Sequence, residues 1–208
     1  MKFATAILAL STAVVGLQAP IEGYGIVHLE WEVEVSPGGK TVVLNGTVEN
    51  VHNELVKLNP NWDEDYAAVK KPLSKRNDDD FKLAGRADFT NAHFFCRGRW
   101  PECPSPIIAG GIAYLRRIQG QPRNGPGPGN CGRVSCSHQS AIYWCNDSPA
   151  AKPLNGFNDI ADGAEYINKK CVREVWNGRW LKFNAMSSGQ AYHKDNWNVI
   201  VTRDTDRC

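Results

Sequence analysis

Arg133-Val134-Ser135-Cys136-Ser137-His138-Gln139-Ser140-Ala141-Ile142-Tyr143-Trp144-Cys145 sets two β-rich runs on either side of a short polar turn. Val, Ile, Tyr and Trp suit a pleated, half-buried surface, so residues 133–136 and 141–145 read as strands joined through Ser137-His138-Gln139. Upstream, Ile107, Ile108, Gly111, Ile112 and Leu115 recur at helical intervals after Pro104-Ser105-Pro106. Ser105 as N-cap and Pro106 in the first turn predict a helix over 106–118. Residues 120–130 are too rich in Gly and Pro for a helix or a central strand and form a long, shaped loop. Downstream, Ile160, Ala164, Ile167 and Cys171 share one helical face over 159–171, with Asp159 able to cap it. Trp176-Asn177-Gly178-Arg179-Trp180 is a hairpin signal, and Asn196-Trp197-Asn198-Val199-Ile200-Val201 is a closing strand. The fold class is therefore α+β: a small, disulfide-stapled two-layer sandwich of two helices on an antiparallel sheet.

The chain has 208 residues, 42% of them hydrophobic, with seven Trp, which supports a packed core and excludes a collagen-like fibre or wholesale disorder. Lys2 followed by the apolar run Phe3 to Val15 is too short to span a membrane and has the length of a signal-peptide core. Small residues at Gly16 and Ala19 offer cleavage positions, so residues 1–19 read as a signal peptide and the protein as secreted, with no membrane anchor later in the chain.

All seven cysteines, Cys96, Cys103, Cys131, Cys136, Cys145, Cys171 and Cys208, follow position 76. In an oxidising compartment they read as disulfide candidates, and no Cys-x-x-Cys pair recurs to suggest zinc. Cys96 with Cys103 and Cys131 with Cys136 are the local candidates, and spacing leaves connectivity open. Seven is odd, which leaves one thiol free, paired between molecules, or bridged in one state only.

Charge divides where the cysteines begin. Residues 20–76 hold six Lys and Arg against nine Asp and Glu, whereas residues 77–208 hold 17 against 13. The boundary is Lys75-Arg76, a pair that suits a Kex2-type secretory protease, within a polar, Pro-containing stretch that predicts an exposed linker. Residues 20–76 thus read as an acidic pro-segment and residues 77–208 as the mature cysteine-rich domain. Within the pro-segment, Leu29, Trp31, Val33 and Val35 alternate with Glu30, Glu32 and Glu34, and Pro37-Gly38-Gly39 turns the chain into Thr41-Val42-Val43-Leu44. That is a β-hairpin with one apolar face, and a lone hairpin needs something to dock on. Val48, Val51, Leu55 and Leu58 add a short helix over 48–58. Asn45-Gly46-Thr47 is at once an N-glycosylation sequon at Asn45 and a turn dipeptide.

Several blocks carry a resemblance. Cys131-Gly132-Arg133-Val134-Ser135-Cys136-Ser137, Ser140 to Asp147 and Asp195 to Val201, after a Gly-Pro-rich loop, resemble segments of small secreted cysteine-rich candidate-effector proteins of filamentous fungi. Trp31-Glu32-Val33, Leu44 to Glu49 and Asn59-Pro60-Asn61 resemble the pro-regions of that group, and the order of elements is similar to the killer-toxin-like α/β sandwich at fold level. The resemblance implies a secreted virulence effector that binds a host protein and modulates host immunity. It transfers no enzymatic residues.

The chemistry legible in the chain agrees with binding over catalysis. His93, His138 and His193 lie outside any recognisable catalytic motif, and His138 beside Ser137 and Ser140 lacks a nucleophile elbow. A secreted ribonuclease would pair one of these histidines with Glu102, Glu165 or Glu174, and is kept as an alternative, as is a killer-type toxin acting directly on cells. The loop at 120–130 ends without the Gly-Lys-Ser/Thr of a phosphate-binding loop, and no cofactor or metal is called for. Basic and aromatic residues interleave at Arg97-Gly98-Arg99-Trp100 and Trp176 to Lys182. With Arg123 and Arg133, these give the partner-binding candidates Arg97, Arg99, Trp100, Arg123, Arg133, Trp176, Arg179 and Trp180. A charge excess of about four over residues 77–208 is too mild to select nucleic acid, while Trp and Arg are favoured at protein interfaces. Inhibition of a host protease by the braced loop 120–130 is one concrete version.

Overall fold

The structure is a computed structural model that describes residues 19–69, 87–118, 120–176, 183–205 and 208. Most of the expected signal peptide, the processing pair Lys75 and Arg76, and the candidates Arg179 and Trp180 lie outside the described residues. The fold is mixed α+β, with four helices and a large, mainly antiparallel sheet among the described residues. None of the described helices is long and apolar enough to cross a membrane.

The opening stretch of the sequence is the centre of that sheet. β7 (Asn130–Ser137) and β8 (Ser140–Asn146) pair around a turn in which His138 and Gln139 both take positive φ, +45° and +58°. Two positive-φ residues make the turn whose twist matches the strands it joins. β13 (Trp197–Arg203) lies on the other side of β8, followed by β12 (Gly189–His193) and β4 (Phe94–Cys96). At the far edge, β1 (Gly25–Val27) adds to β7 in parallel, register Gly25 to Asn130, a strand absent from the sequence reading. A second sheet joins β10 (Arg173–Trp176), β11 (Phe183–Ser187) and β5 (Cys103–Pro104). In the expected loop, β6 (Arg123–Asn124) pairs with β9 (Lys152–Pro153). The loop is anchored by Asn146, whose amide donates to the Gly125 and Ala150 carbonyls at 2.8 Å each.

The N-terminal hairpin is β2 (Glu30–Glu34) with β3 (Thr41–Asn45), followed by α1 (Val48–Leu58) and α2 (Trp62–Val69). α3 (Ser105–Leu115) stops three residues before the expected end, and its N-cap is Pro104, so Ser105 is the first helical residue instead of the cap. α4 (Phe157–Cys171) starts two residues early behind Gly156. Asp159 therefore sits inside the first turn, where its carboxylate accepts the backbone N–H groups of Asn155 and Ala87 at 3.0 Å each. Burial raises the Asp159 carboxyl above its ordinary range.

One core runs through the N-terminal segment and the cysteine-rich part. Leu29, Trp31, Val33, Val48, Val51, Leu55 and Trp62 are buried in one cluster with Ile108, Leu115, Trp144, Phe157, Ile160, Ile167 and Val199. The opposite face of the large sheet carries a smaller cluster of Trp100, Cys131, Tyr143, Cys145 and Ile200, against which Ile21, Tyr24 and Ile26 pack.

Three disulfides join Cys96 to Cys171, Cys131 to Cys145 and Cys136 to Cys208. Neither local candidate pair forms. Cys131 and Cys136 lie on one strand, so about 3.3 Å of rise per residue holds them too far apart for the ~7 Å reach of a bridge. Cys131 instead meets its cross-strand neighbour Cys145, Cα to Cα 4.0 Å. Cys103 is the free cysteine, wholly buried on β5, with Sγ 3.4 Å from the Ser187 carbonyl. Burial pushes its thiol up to about 11, which keeps it protonated and inert. The folded chain is expected to resist a maleimide at neutral pH and to take up one equivalent once unfolded without reductant. Rapid labelling of the native protein would contradict this burial.

Candidate protein-binding site

Among the described residues β4 is an edge strand, bonded to β12 on one side only, and its two phenylalanines are exposed, Phe94 to 36% and Phe95 to 38%. Successive strand residues point to opposite faces, so the two rings take different surroundings. Phe94 meets the Tyr166 ring edge-on at 5.4 Å, with the Lys170 ammonium 5.8 Å from the same tyrosine. Phe95 carries the Arg99 guanidinium over its ring at 4.8 Å and meets His93 edge-on at 4.7 Å, with Tyr192 beyond it.

Local sequence explains this arrangement. Arg97 and Gly98 both take positive φ, +57° and +72°, which folds the chain sharply after Cys96 and returns Arg99 over the strand it has left. The turn is pinned: Arg97 donates from its guanidinium to the Cys171 carbonyl at 2.8 Å and from its backbone N–H to the Ser188 carbonyl at 3.1 Å. The Cys96–Cys171 bridge ties the same strand to the end of α4. Arg99 also donates to the Gln190 side-chain carbonyl at 3.3 Å, the first member of a polar row across the sheet. Gln190 donates to Asn198 at 3.0 Å, Asn198 donates to the Asp147 carboxylate at 2.8 and 3.0 Å, and Tyr24 donates to Asp147 at 3.0 Å. Burial and the neighbouring Asp147 carboxylate raise the Tyr24 hydroxyl to about 12.

The sequence candidates divide. Arg97 and Arg99 stand in this site, and Trp176 is exposed to 63% on β10. On the same strand, the Arg173 guanidinium donates to the Glu102 carboxylate and holds it below its ordinary range. Trp100 is not a surface anchor: it is buried under the sheet in the smaller cluster, with its neighbour Ser188 donating to the Trp100 carbonyl at 2.8 Å. Arg133 is not a surface cation either, because its guanidinium pairs with Asp204 at 3.1 Å where both are largely covered. Asp204 also accepts from the Tyr143 hydroxyl at 2.5 Å. Arg123 is exposed on β6, apart from the aromatic cluster, and Asn45 is exposed at the end of β3. Phe94, Phe95, Tyr166 and Tyr192 were missed by sequence reasoning. The available signal was two adjacent Phe directly before Cys96-Arg97-Gly98-Arg99, since neighbouring strand residues cannot both face one core.

The three histidines do not form one centre. His138 stands in its turn with Nδ1 2.8 Å from Ser137 Oγ, and His93 lies among Phe95 and Tyr192. His193 stacks on Trp197 at 4.6 Å with Phe89 edge-on at 5.4 Å. Burial holds His193 below its ordinary value of 6.5, partly offset by Asp195 and Asp88, with Lys194 and Lys152 opposing protonation. Its Nδ1 accepts the Asp195 backbone N–H at 3.3 Å, which an imidazolium cannot do. A base whose folded pKa is depressed contributes fully above its unfolded pKa, and that contribution is lost as pH falls through 6.5 toward the folded value. Melting temperature is therefore expected to drop on acidification below pH 6.5, and less steeply in His193→Gln. Parallel pH profiles for the two proteins would refute the assignment.

No family model, curated protein or solved structure matches this chain.

Proposed function

We propose that this is a secreted, disulfide-braced effector of the fungal candidate class, which acts by binding a protein of a host or competitor organism through the β4 edge. In this reading residues 77–208 form a two-layer unit, and residues 20–76 are a pro-segment cut after Arg76. The observation that carries it is the exposed Phe94-Phe95 edge with Arg99 seated on one ring and the strand tied down by Cys96–Cys171. An edge strand offers unpaired backbone donors and acceptors, the groups used when a partner adds a strand. Aromatic and arginine side chains supply most of the binding energy in protein interfaces. Bracing lowers the entropy lost on association, because strand and turn are already in place.

The test compares variants in a pull-down from host extracellular fluid. A partner recovered by the wild-type chain is expected to be lost with Phe95→Ala/Arg99→Ala, at a cost of roughly 2 kcal/mol or more, and retained with Arg123→Ala. Thermal melts of all three proteins check that each is folded. Equal recovery by wild type and the double variant would refute the β4 site. Killing of isolated cells by the purified protein, undiminished in the double variant, would favour the toxin alternative. Phosphodiester cleavage abolished by His93→Ala or His138→Ala would favour the ribonuclease.

A further inference from the structure

We infer that residues 19–69 remain bound to the cysteine-rich part after the chain between them is cut, so that the working protein is a two-chain complex held without a covalent link. The inference takes its cut from the proposed processing at Lys75-Arg76, but the retention itself rests on the interface. A pro-segment that leaves after cleavage usually covers a surface that is complete without it. Here the segment supplies part of the core and part of the sheet.

The apolar evidence is the shared cluster. Trp31 lies flat on Phe157, ring centroids 4.2 Å apart and planes within 5°, and neither ring is more than 1% exposed. Val48, Val51 and Leu55, all fully buried, place α1 in the same cluster as Ile108, Ile112 and Leu115 of α3. Without the segment these side chains would form a large contiguous apolar face, of the kind soluble monomers rarely expose.

Backbone and polar contacts add specificity. β1 extends the main sheet through β7, and the Gly25 N–H donates to the Gly129 carbonyl at 2.6 Å. Glu49 on α1 accepts the Cys136 N–H at 3.0 Å and the Ser135 hydroxyl, where β7 is irregular between Arg133 and Ser135. Asp63 of α2 pairs with Arg117 at 3.3 Å, and Tyr24 bonds Asp147 on the opposite face. The cysteine-rich part is also cut to the shape of the segment. A Cβ at Gly132 would fall 2.6 Å from Leu29, and at Gly120, where φ is +131°, a Cβ would collide with the Glu32 carbonyl. Glycine at these close approaches fits a surface built to carry the segment. None of the three disulfides reaches residues 19–69, so after cleavage only these contacts would hold it.

The experiment uses the oxidised full chain, cleaved in vitro by a Lys-Arg-specific endoprotease. A denaturing gel is expected to show two fragments, while native mass spectrometry and size exclusion show one species with the summed mass. A native mass equal to residues 77–208 alone would overturn the inference. Cut Trp31→Ala is expected to dissociate about 100-fold to 4,000-fold more readily than cut wild type, and cut Phe95→Ala to stay intact. If Trp31→Ala does not fold before cutting, Glu49→Ala serves instead, with about a tenfold weaker hold expected from loss of its charge-assisted hydrogen bonds. No change in either variant's hold would also overturn it. These readings need no partner and no processing in the cell, so they separate from both parts of the proposed function.

Discussion

Trp31→Ala is expected to lower the unfolding free energy of the full chain by about 3–5 kcal/mol, the range for removing a buried Trp or Phe side chain from a core. Trp31 is fully buried in the N-terminal hairpin yet stacks on Phe157, the first residue of α4, in the cysteine-rich part. The substitution leaves a cavity where the indole was and takes a donor from the Gly46 carbonyl, which accepts Trp31 Nε1–H at 2.8 Å. For a chain of this size the melting temperature should drop by roughly 6–20 °C. Trp31→Phe separates the contributions, because it restores most of the stacking and not the hydrogen bond, so its loss should be about half or less. Denaturant unfolding followed by circular dichroism measures both. A loss below about 1 kcal/mol for Trp31→Ala would mean that the hairpin is an appendage instead of part of the core.

The second large effect concerns the bridges. Closing a longer loop removes more freedom from the unfolded chain, and the loop-entropy relation gives about 4.5 kcal/mol for a bridge spanning 75 residues. Cys96–Cys171 encloses 75 residues of sequence separation, against 14 for Cys131–Cys145, for which the same relation gives about 3 kcal/mol. Cys96→Ala/Cys171→Ala should therefore destabilise more than Cys131→Ala/Cys145→Ala. It should also weaken partner capture, because it frees β4 from α4 while leaving Phe95 and Arg99 in the chain. Chemical denaturation with intact-mass counting of remaining bridges gives the stability order, and the reverse order would show that strand pairing sets each bridge's contribution more than loop length does.

Much of the secondary structure was legible because local chemistry and tertiary context agree there. The apolar spacing of Val48, Val51 and Leu55 marks α1 to the residue, and the turn at His138 and Gln139 separates two strands of the kind expected. What escaped was decided by partners far away in sequence. β1 is only Gly25-Ile26-Val27, too short to show a period, and exists because β7 offers it an edge. β12, Gly189-Gln190-Ala191-Tyr192-His193, mixes polar and apolar residues because Gln190 is buried against Asn198 in a polar row, which hides the usual alternation. α2 announces itself only through Asp63, Glu64 and Asp65 in its first turn, a charge pattern suited to a helix N-terminus. Two of the bridges span 72 and 75 residues, and such pairings follow from the sheet order, which no local spacing contains. The candidate site was half legible. Arg97 and Arg99 stood out by composition, but Trp100 beside them turns inward, and Phe94 and Phe95 are exposed because β4, among the described residues, lies at the edge of the sheet, a position that no local spacing reveals.

Native-state hydrogen exchange on the uncut, oxidised chain tests most directly whether the N-terminal segment and the cysteine-rich part share one core. A single core predicts that the amides of α1, such as Val51 and Leu55, exchange only through global opening, with protection equal to that of Val199 and Tyr143 in the central strands. Fast exchange of α1 while the central strands stay protected would contradict it, and would return the cysteine-rich part to the status of a domain that stands alone.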